Sequence, residues 1–272
     1  MNLQSTSSIQ LAKEIRKTTL RMVVNSKASH IGSALSIVDI LAVLYFDVLR
    51  INKSDLNNPK RDIFILSKGH ACASVYATIG LLDFFPLSEL ESYGKNGSNF
   101  MNHISHKVPG VEFSTGSLGH GLPFATGKAL ASKINNKENS IFVVLGDGEL
   151  DEGSNWEAIL FASHHNLDNL IAIIDYNKLQ SLTSVEDTLN LEPLRSKFES
   201  FGTYVFEVDG HDHFDLKKTI QEAIEKKGKP IVIIANTIKG KGVSYMENKV
   251  KWHYSTPNDS ELEIAIKEIN NA

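Results

Sequence analysis

Cysteine is nearly absent from this sequence of 272 residues, which contains only Cys72. One thiol excludes an internal disulfide and a zinc site built from several cysteines, and it fits a reducing compartment such as the cytoplasm. The chain also lacks a run of roughly 18 apolar residues, and its polar amino terminus does not have the apolar segment of a signal peptide. These absences predict a cytoplasmic protein that does not insert into a membrane.

A large excess of charge of one sign is missing as well. The chain has 28 Lys and Arg residues against 32 Asp and Glu residues, for a formal net charge of −4. A weakly acidic surface argues against nonspecific binding of nucleic acid, so any recognition of phosphate must be local. A chain of this length can bury a sizeable core, and we expect residues 1–272 to form one domain.

Helical and strand patterns alternate along the chain, as they do in α/β domains. One helix is predicted over residues 9–23, another from Ser36, whose hydroxyl resembles a capping box with Asp39, and a third between Asp212 and Lys227. Short apolar or β-branched runs predict buried parallel strands. These runs are residues 63–66, 141–145, 170–174, 204–208 and 231–235. We therefore expect an α/β fold with a doubly wound, mostly parallel sheet and helices on both faces.

An acid and an amide stand two and three positions after the second and third of these runs. Asp147 lies between Gly146 and Gly148, and Asn177 follows thirty positions after Asp147. Ligands of parallel sheets bind outside the carboxyl ends of the strands, where both side chains fall. Mg²⁺ usually takes one or two protein carboxylates and keeps positions for phosphate and water. Asp147 would supply a charged oxygen, Asn177 a neutral one and the Leu179 carbonyl a third, with Ca²⁺ or Mn²⁺ as alternative metals.

Phosphate has room beside this predicted metal site. Gly146 and Gly148 lack side chains, so a phosphate can approach the backbone there. A helix that begins near Asn155 would direct its positive end the same way. The sequence therefore predicts a site for a metal diphosphate. A Gly-Asp-Gly tripeptide alone is more often a turn that closes a buried strand, and the interval to Asn177 is what favours the metal site.

The interval from Asp147 to Asn177 resembles the thiamine diphosphate motif, which opens with Gly-Asp-Gly and closes with Asn about thirty residues on. Further blocks are similar to those of transketolases and occur in the same order. They are Ala-Ser-His-Ile-Gly at 28–32, Leu-Ser-Lys-Gly-His-Ala at 66–71, Asn-His at 102–103, Pro-Gly-Val-Glu at 109–112, Ser-Thr-Gly-Ser-Leu-Gly-His-Gly at 114–121, Asp-Gly-His-Asp at 209–212, Thr-Ile-Lys-Gly-Lys-Gly at 237–242 and Trp-His at 252–253. Because the match spans nearly the whole chain, the chain is identified as a member of the transketolase family.

The resemblance implies roles for particular residues. His30, His103 and His253 would be catalytic residues that line the substrate channel, bind sugar hydroxyls and move protons, which suits an imidazole with a pKa near neutrality. Glu152 resembles a member of an acidic network between paired active sites, although a solvated carboxylate at a helix start fits equally well. The residues implied in binding thiamine diphosphate are His70, Gly116, Ser117, Leu118, Gly146, Asp147, Gly148, Glu152 and Asn177.

A transketolase chain contains a diphosphate-binding domain, a pyrimidine-binding domain and a carboxy-terminal domain, and the resemblance covers the first of them. It implies the amino-terminal subunit of a split transketolase, which uses thiamine diphosphate and Mg²⁺ to transfer a two-carbon ketol unit from a ketose, expected to be phosphorylated, to an aldose. In the family, the glutamate that activates the cofactor belongs to the pyrimidine domain. We therefore expect a carboxy-terminal partner subunit that carries this glutamate, an α2β2 heterotetramer, and no activity of this chain alone.

Three positions depart from the family pattern. Ile31 stands where proline is usual, His120 where glutamine is common and Tyr254 where glycine is usual. His120 and Tyr254 would narrow or repolarise the pocket, so a different ketol or α-keto acid donor in a biosynthetic pathway stays open. The diphosphate motif also allows the α-subunit of a 2-oxo acid dehydrogenase, and a noncatalytic regulatory subunit is a third alternative. Lys239 and Lys241 either reach a phosphate or lie in a mobile surface loop.

Overall fold

A parallel sheet occupies the centre of the part of the chain that the computed structural model describes, residues 7–271. Its strands are β1 (Ile63–Leu66), β2 (Ile141–Gly146), β3 (Leu170–Tyr176), β4 (Tyr204–Asp209) and β5 (Ile231–Asn236). Their order across the sheet is β1-β2-β3-β5-β4, and every neighbouring pair is parallel. Each strand begins at the residue that the sequence predicts, and all but β1 continue one or two residues further than expected.

Helices cover both faces of the sheet. They are α1 (Ser8–Ser26), α2 (Ile31–Ser36), α3 (Val38–Val43), α4 (Cys72–Leu81), α5 (Gly121–Ile134), α6 (Gly153–His164), α7 (Val185–Thr188), α8 (Leu194–Ser200), α9 (His213–Glu225) and α10 (Asp259–Asn271). In β2, Phe142 and Val144 pack in one core with α1 to α4, α9 and α10, while Val143 and Leu145 pack in a second core with α5, α6 and α8. The predicted α/β class is confirmed, because the sheet is parallel and helices pack on both of its faces.

None of the helices within residues 7–271 combines the length and the apolar character that a membrane-spanning segment needs.

The predicted helix start at Ser36 is wrong. Ser36 ends α2, and one residue separates it from α3. The Ser36 hydroxyl lies 3.0 Å from the Ser33 carbonyl and donates to the Asp175 carboxylate at 2.7 Å. Asp39 does not complete a capping box, since its carboxylate binds Arg16. A fully buried carboxylate such as Asp175 costs free energy unless donors surround it, so Ser36 ties α2 to β3 instead of capping a helix.

A buried ionic cluster joins α1, α3 and the segment after β4. The Asp39 carboxylate accepts two hydrogen bonds from the Arg16 guanidinium, at 2.9 and 2.5 Å. It also lies 2.7 Å from His211 Nδ1 and 3.0 Å from His213 Nε2. Because His211 Nε2 accepts the Ile238 N–H at 2.8 Å, the His211 proton lies on Nδ1 and points to Asp39. Burial alone would raise the pKa of Asp39, but Arg16 and the two histidines hold it well below its usual range.

This cluster predicts a specific dependence of stability on pH. A carboxyl group whose pKa is depressed by folding stabilises the protein above its unfolded pKa of about 3.9, and this contribution is lost as the pH falls further. Replacing Asp39 by Asn should lower the free energy of unfolding at pH 7 by about 1–3 kcal/mol, because Arg16 stays buried with a weaker partner. Between pH 5 and pH 3 the difference between wild type and variant should shrink. Urea unfolding at several pH values measures both effects.

The matched control is Asp55→Asn, which changes an exposed carboxylate and should follow the wild type at every pH. A difference between wild type and Asp39→Asn that stays constant down to pH 3 would contradict the assignment of a depressed pKa to Asp39.

Candidate active site

The carboxyl ends of β2 and β3 open into a cleft of about 270 Å³. Gly146, the last residue of β2, pairs with Asp175 in β3, so Asp147 and Asn177 leave neighbouring strands at the same edge of the sheet. Both side chains are buried and both line the cleft. The predicted site residues that line this cleft are His30, His70, His103, Gly116, Leu118, Gly146, Asp147, Gly148, Asn177, Leu179 and His253.

A larger cavity, of about 630 Å³, lies near the amino-terminal ends of the strands, beside Ser140. Its charged side chains are largely paired within the chain, Arg50 with Asp62 and Lys133 with Asp168. It includes none of the residues that the sequence predicts for the site. Parallel sheets bind ligands at the carboxyl ends of their strands, and we therefore assign the site to the smaller cleft.

Asp147 is a buried carboxylate without a cationic partner among residues 7–271. It is 3% exposed, and its oxygens accept the N–H groups of Gly148 at 2.7 Å and of Lys178 at 2.5 Å. Burial, together with repulsion from Asp175, raises the pKa of Asp147 to about 7. A divalent cation beside the carboxylate would restore its charged form, since bound metals are the largest local charges in such sites. The surroundings of Asp147 therefore fit a metal ion.

Asp175 orients the second candidate ligand. Its fully buried carboxylate accepts a hydrogen bond from the Asn177 side-chain amide at 3.1 Å and forms an ion pair with Lys68. Burial alone would raise the pKa of Asp175, but Lys68 holds it below its usual value. With its nitrogen fixed on Asp175, the Asn177 amide presents its oxygen elsewhere, where it accepts the Leu179 N–H at 3.1 Å and keeps a lone pair for a cation.

The candidate ligands are all oxygens, and one of them is a carboxylate. Leu179 lines the same cleft, and its carbonyl accepts a hydrogen bond from Lys239 Nζ at 3.1 Å. Within the described residues, no group of three or more His, Cys, Asp or Glu side chains is arranged to hold a metal ion. Asp147, Asn177 and the Leu179 carbonyl suit Mg²⁺, which takes few protein carboxylates and completes its coordination with phosphate and water.

Two buried lysines face the cleft. Lys68 is 2% exposed and Lys239 is 1% exposed. Lys239 donates to the carbonyls of Leu179 and Gln180. The alternative that Lys239 lies in a mobile surface loop is therefore wrong. Lys241 does not line the cleft. Burial, and then repulsion from Lys68, lowers the pKa of Lys239 to about 8. Ammonium groups in a confined cleft attract anions strongly, and a diphosphate is a matching ligand.

Four histidines form one cluster in the same cleft as the two lysines. The His30 ring centroid lies 5.2 Å from that of His70, 5.7 Å from that of His103 and 5.1 Å from that of His253. Burial, followed by repulsion from neighbouring cationic groups, lowers the pKa of His30 to about 4 and that of His253 to about 3. Burial also lowers the pKa of His70, and partial burial lowers the pKa of His103, which keeps part of its surface exposed. At neutral pH these imidazoles are therefore neutral and can both donate and accept hydrogen bonds.

Backbone contacts hold the cluster together. His30 has a φ of 71°, a left-handed conformation that is uncommon outside glycine. Its N–H donates to the His253 carbonyl at 2.8 Å, which joins the start of α2 to the one-turn helix Val250–His253. Lys239 Nζ lies 3.0 Å from His253 Nδ1, so the ring proton of His253 lies on Nε2. Strained backbone is often found at functional sites, and here it places His30 at the centre of the cluster.

Comparison with known proteins establishes the family. Residues 7–269 match the family model described as "Transketolase, thiamine diphosphate binding domain". The chain belongs to the transketolase family. It is 45% identical, over 95% of its length, to an apulose-4-phosphate transketolase subunit from Actinobacillus succinogenes and covers 94% of that protein. It is also 38% identical, over 95% of its length, to a 6-deoxy-6-sulfo-D-fructose transketolase subunit from a Clostridium species, of which it covers 94%.

The fold is that of transketolases of known structure. The Campylobacter jejuni transketolase superposes with a TM-score of 0.92 at 31% sequence identity, over 99% of this chain and 43% of that chain. The chain thus spans less than half the length of that transketolase. These similarities confirm the family that the sequence blocks indicate, and they favour a transketolase over the α-subunit of a 2-oxo acid dehydrogenase.

Some residues that the transketolase motifs imply lie outside the cleft lining. Ser117 and Glu152 are exposed, and Glu152 directly precedes α6 without capping it. Their roles in cofactor binding and in a network between paired sites stay predictions, because both involve groups beyond this chain. Of the departures from the family pattern, His120 is exposed at the start of α5 and outside the cleft lining, Ile31 is fully buried, and Tyr254 lines the cleft.

Sequence reasoning did not assign Lys68, Glu149 or Asp175 to the site. Glu149 is buried, and its carboxylate accepts hydrogen bonds from the Ser67 hydroxyl at 2.5 Å and from the Gly119 N–H at 2.9 Å. It thereby fixes the block at 114–121 beside the metal site. Lys68 lies inside a block that resembles transketolases, and Asp175 directly follows the predicted strand 170–174. These positions are the sequence features that could have assigned the two residues to the site.

Proposed function

We propose that this chain is the amino-terminal subunit of a split transketolase. With thiamine diphosphate and Mg²⁺ it would transfer a two-carbon ketol unit from a ketose, expected to be phosphorylated, to an aldose. The observation that carries the proposal is the shared cleft, where oxygen ligands for a cation, two buried ammonium groups and four neutral imidazoles lie together. The name of the Actinobacillus relative supports a phosphorylated sugar as substrate.

The floor of the cleft would hold the metal and the diphosphate. Asp147, Asn177 and the Leu179 carbonyl would bind Mg²⁺, and His70 would face the phosphate oxygens. Lys68 and Lys239, whose N–H groups have acceptors within the chain, would add positive charge beside the diphosphate. Gly146 leaves open space, since a side chain built there would meet only Lys68, at 3.9 Å. A dication beside Asp147 would offset the burial, and the repulsion from Asp175, that together raise the pKa of Asp147.

The histidines would act on the sugar. Bound thiamine diphosphate would supply the carbanion chemistry of ketol transfer. His30, His103 and His253 would orient the substrate through its hydroxyls. Because His253 Nδ1 faces the Lys239 ammonium, the ring proton of His253 lies on Nε2, where it can be donated to a hydroxyl. Because these rings are neutral, each can donate one hydrogen bond to a sugar hydroxyl and accept another. The pKa values of about 4 for His30 and about 3 for His253 lie below the near-neutral value that the sequence suggests, so a bound anion would have to raise them before either ring acts as a general base.

The proposal includes a partner chain. A carboxy-terminal subunit would contribute the pyrimidine-binding domain and the activating glutamate, most simply in an α2β2 heterotetramer with a large interface, because that interface replaces a covalent domain junction. The Actinobacillus and Clostridium relatives are each named as one subunit of a transketolase, and this chain covers 43% of the Campylobacter enzyme; both facts support this arrangement. We also infer a cytoplasmic location, which the lone and buried Cys72 supports.

Reconstitution tests this proposal. The chain and its candidate carboxy-terminal partner are purified separately and as a complex, and ketol transfer from a ketose phosphate to an aldose phosphate is measured. We expect turnover by the complex that disappears on removal of the metal with EDTA and returns with Mg²⁺, and no turnover by this chain alone. Turnover by the isolated chain would refute the split site, and a complex that does not bind thiamine diphosphate would refute the cofactor assignment.

A further inference from the structure

Tyr254 stands at the mouth of the cleft. Its ring centroid lies 4.7 Å from that of His253 and 6.0 Å from that of His30. The side chain is 57% exposed, whereas Asp147 at the floor is almost completely buried. His103 is also exposed. The cleft therefore runs from a buried, charged floor through the histidine cluster to an exposed aromatic rim.

The backbone holds Tyr254 in place without strain. Its φ of −114° and ψ of −19° lie in the right-handed region, so this position does not require glycine. The Tyr254 N–H donates to the Lys251 carbonyl at 3.3 Å, which continues the turn that carries His253. The ring therefore lies beside the histidines while Tyr254 remains 57% exposed and open to a ligand.

The position of Tyr254 determines which part of a substrate it would meet. The reacting carbons of a sugar must lie beside the histidines, since only there can imidazoles reach the hydroxyls and move protons. Carbons further along the sugar would extend outward from His30 and His253 and meet the Tyr254 ring. The Tyr254 ring, 4.7 Å from that of His253, therefore forms one side of the outer part of this cleft of about 270 Å³.

We propose that Tyr254 is a specificity-determining residue that shortens the substrate channel and selects compact sugar phosphates over longer ones. The inference rests on the proposed function, because it assigns the substrate to the same cleft. The flat ring packs against the C–H groups of a short sugar and leaves no path for additional carbons.

The test compares Tyr254→Ala with the wild type in the reconstituted complex. The kcat/KM of ketol transfer is measured with aldose phosphate acceptors of three, four and five carbons. The wild type should prefer the three-carbon acceptor. In Tyr254→Ala the ratio of kcat/KM for the five-carbon to the three-carbon acceptor should rise by about tenfold or more, since single methylene groups at a pocket wall change kcat/KM by about 10–200-fold.

Tyr254→Phe is the matched control, because it keeps the ring and removes the hydroxyl, and it should retain the preference for short acceptors. Thiamine diphosphate binding by both variants shows whether the cleft is intact. As a second measurement, calorimetry follows the binding of the same aldose phosphates after their reduction to unreactive polyol phosphates. Tyr254→Ala should strengthen the binding of the five-carbon polyol relative to the three-carbon polyol.

The outcomes separate this inference from the proposed function. If the wild-type complex carries out no ketol transfer, the proposed function fails, and the polyol titration still decides whether Tyr254 selects by length. If ketol transfer occurs but the acceptor ratio and the polyol ratio of Tyr254→Ala stay within twofold of wild type, the inference about Tyr254 alone is overturned. Loss of selectivity in Tyr254→Phe would overturn the role of the ring.

Discussion

Replacing Asp147 by alanine is expected to abolish ketol transfer by the reconstituted complex, while the chain still folds and still binds its partner subunit. Asp147 is the one carboxylate of the candidate metal site, and the remaining ligands, Asn177 and the Leu179 carbonyl, are neutral. Loss of the charged ligand should weaken metal-dependent binding of thiamine diphosphate by about 100-fold or more, since even indirect disturbances of metal ligands cost about 10–100-fold. Calorimetric titration with thiamine diphosphate at fixed Mg²⁺ measures this loss.

The fold should tolerate the substitution because the buried, charged Asp147 carboxylate destabilises the protein when no metal ion is bound. Burial and the nearby Asp175 raise its pKa to about 7, so removal of the group relieves repulsion at the same time as it removes acceptors from two backbone N–H groups. Glu157→Ala, on the exposed side of α6, is the matched control and should leave the affinity unchanged. Full turnover by Asp147→Ala would refute the metal site and favour a noncatalytic subunit.

Replacing Lys68 by methionine is expected to lower the free energy of unfolding of the free chain by about 3–5 kcal/mol, the usual cost of breaking a buried ion pair on one side. Lys68 is almost fully buried, and its partner Asp175 is completely buried. Without the ammonium, Asp175 keeps the Ser36 hydroxyl, the Thr237 hydroxyl and the Asn177 amide as donors, but its negative charge has no counterpart. Urea unfolding followed by circular dichroism measures the change.

A second substitution shows whether the pair is responsible. In the Lys68→Met/Asp175→Asn variant the unpaired charge is gone, so it should be more stable than Lys68→Met, with a coupling free energy of about 0.5–3 kcal/mol in the double-mutant cycle. Lys133→Met is the matched control, since Lys133 pairs with Asp168 at the surface and such pairs contribute about 1 kcal/mol or less. If Lys68→Met and Lys133→Met lower the free energy of unfolding equally, breaking the buried ion pair costs no more than breaking the surface pair, and the prediction is wrong.

The strands and the metal ligands were predictable because each depends on local sequence. A run such as 141–145 has no polar residue, so it fits only the interior of a sheet. Asp147 and Asn177 follow two such runs within three positions. Their proximity then depends only on β2 and β3 being neighbours, which the pairing of Gly146 with Asp175 provides.

The buried charges were not predictable in the same way. Lys239 is held by the carbonyls of Leu179 and Gln180, which lie far from it in sequence, so no local pattern distinguishes it from a solvated lysine. The prediction that Ser36 caps a helix was wrong for the same reason, because its hydroxyl donates to Asp175, a residue of β3 that is distant in sequence. The sequence motifs show which residues matter, and the three-dimensional arrangement shows which partner each of them binds.

The hydrogen bond between the His30 N–H and the His253 carbonyl has a consequence for biosynthesis. Ribosomes add about 5–20 residues per second, and amino-terminal parts fold first, so α1 and much of the sheet can form while the one-turn helix with His253 does not yet exist. A nascent polypeptide therefore has no complete pocket for a coenzyme. Loading of the vitamin-derived cofactor into the complete pocket must follow synthesis of the segment that carries His253.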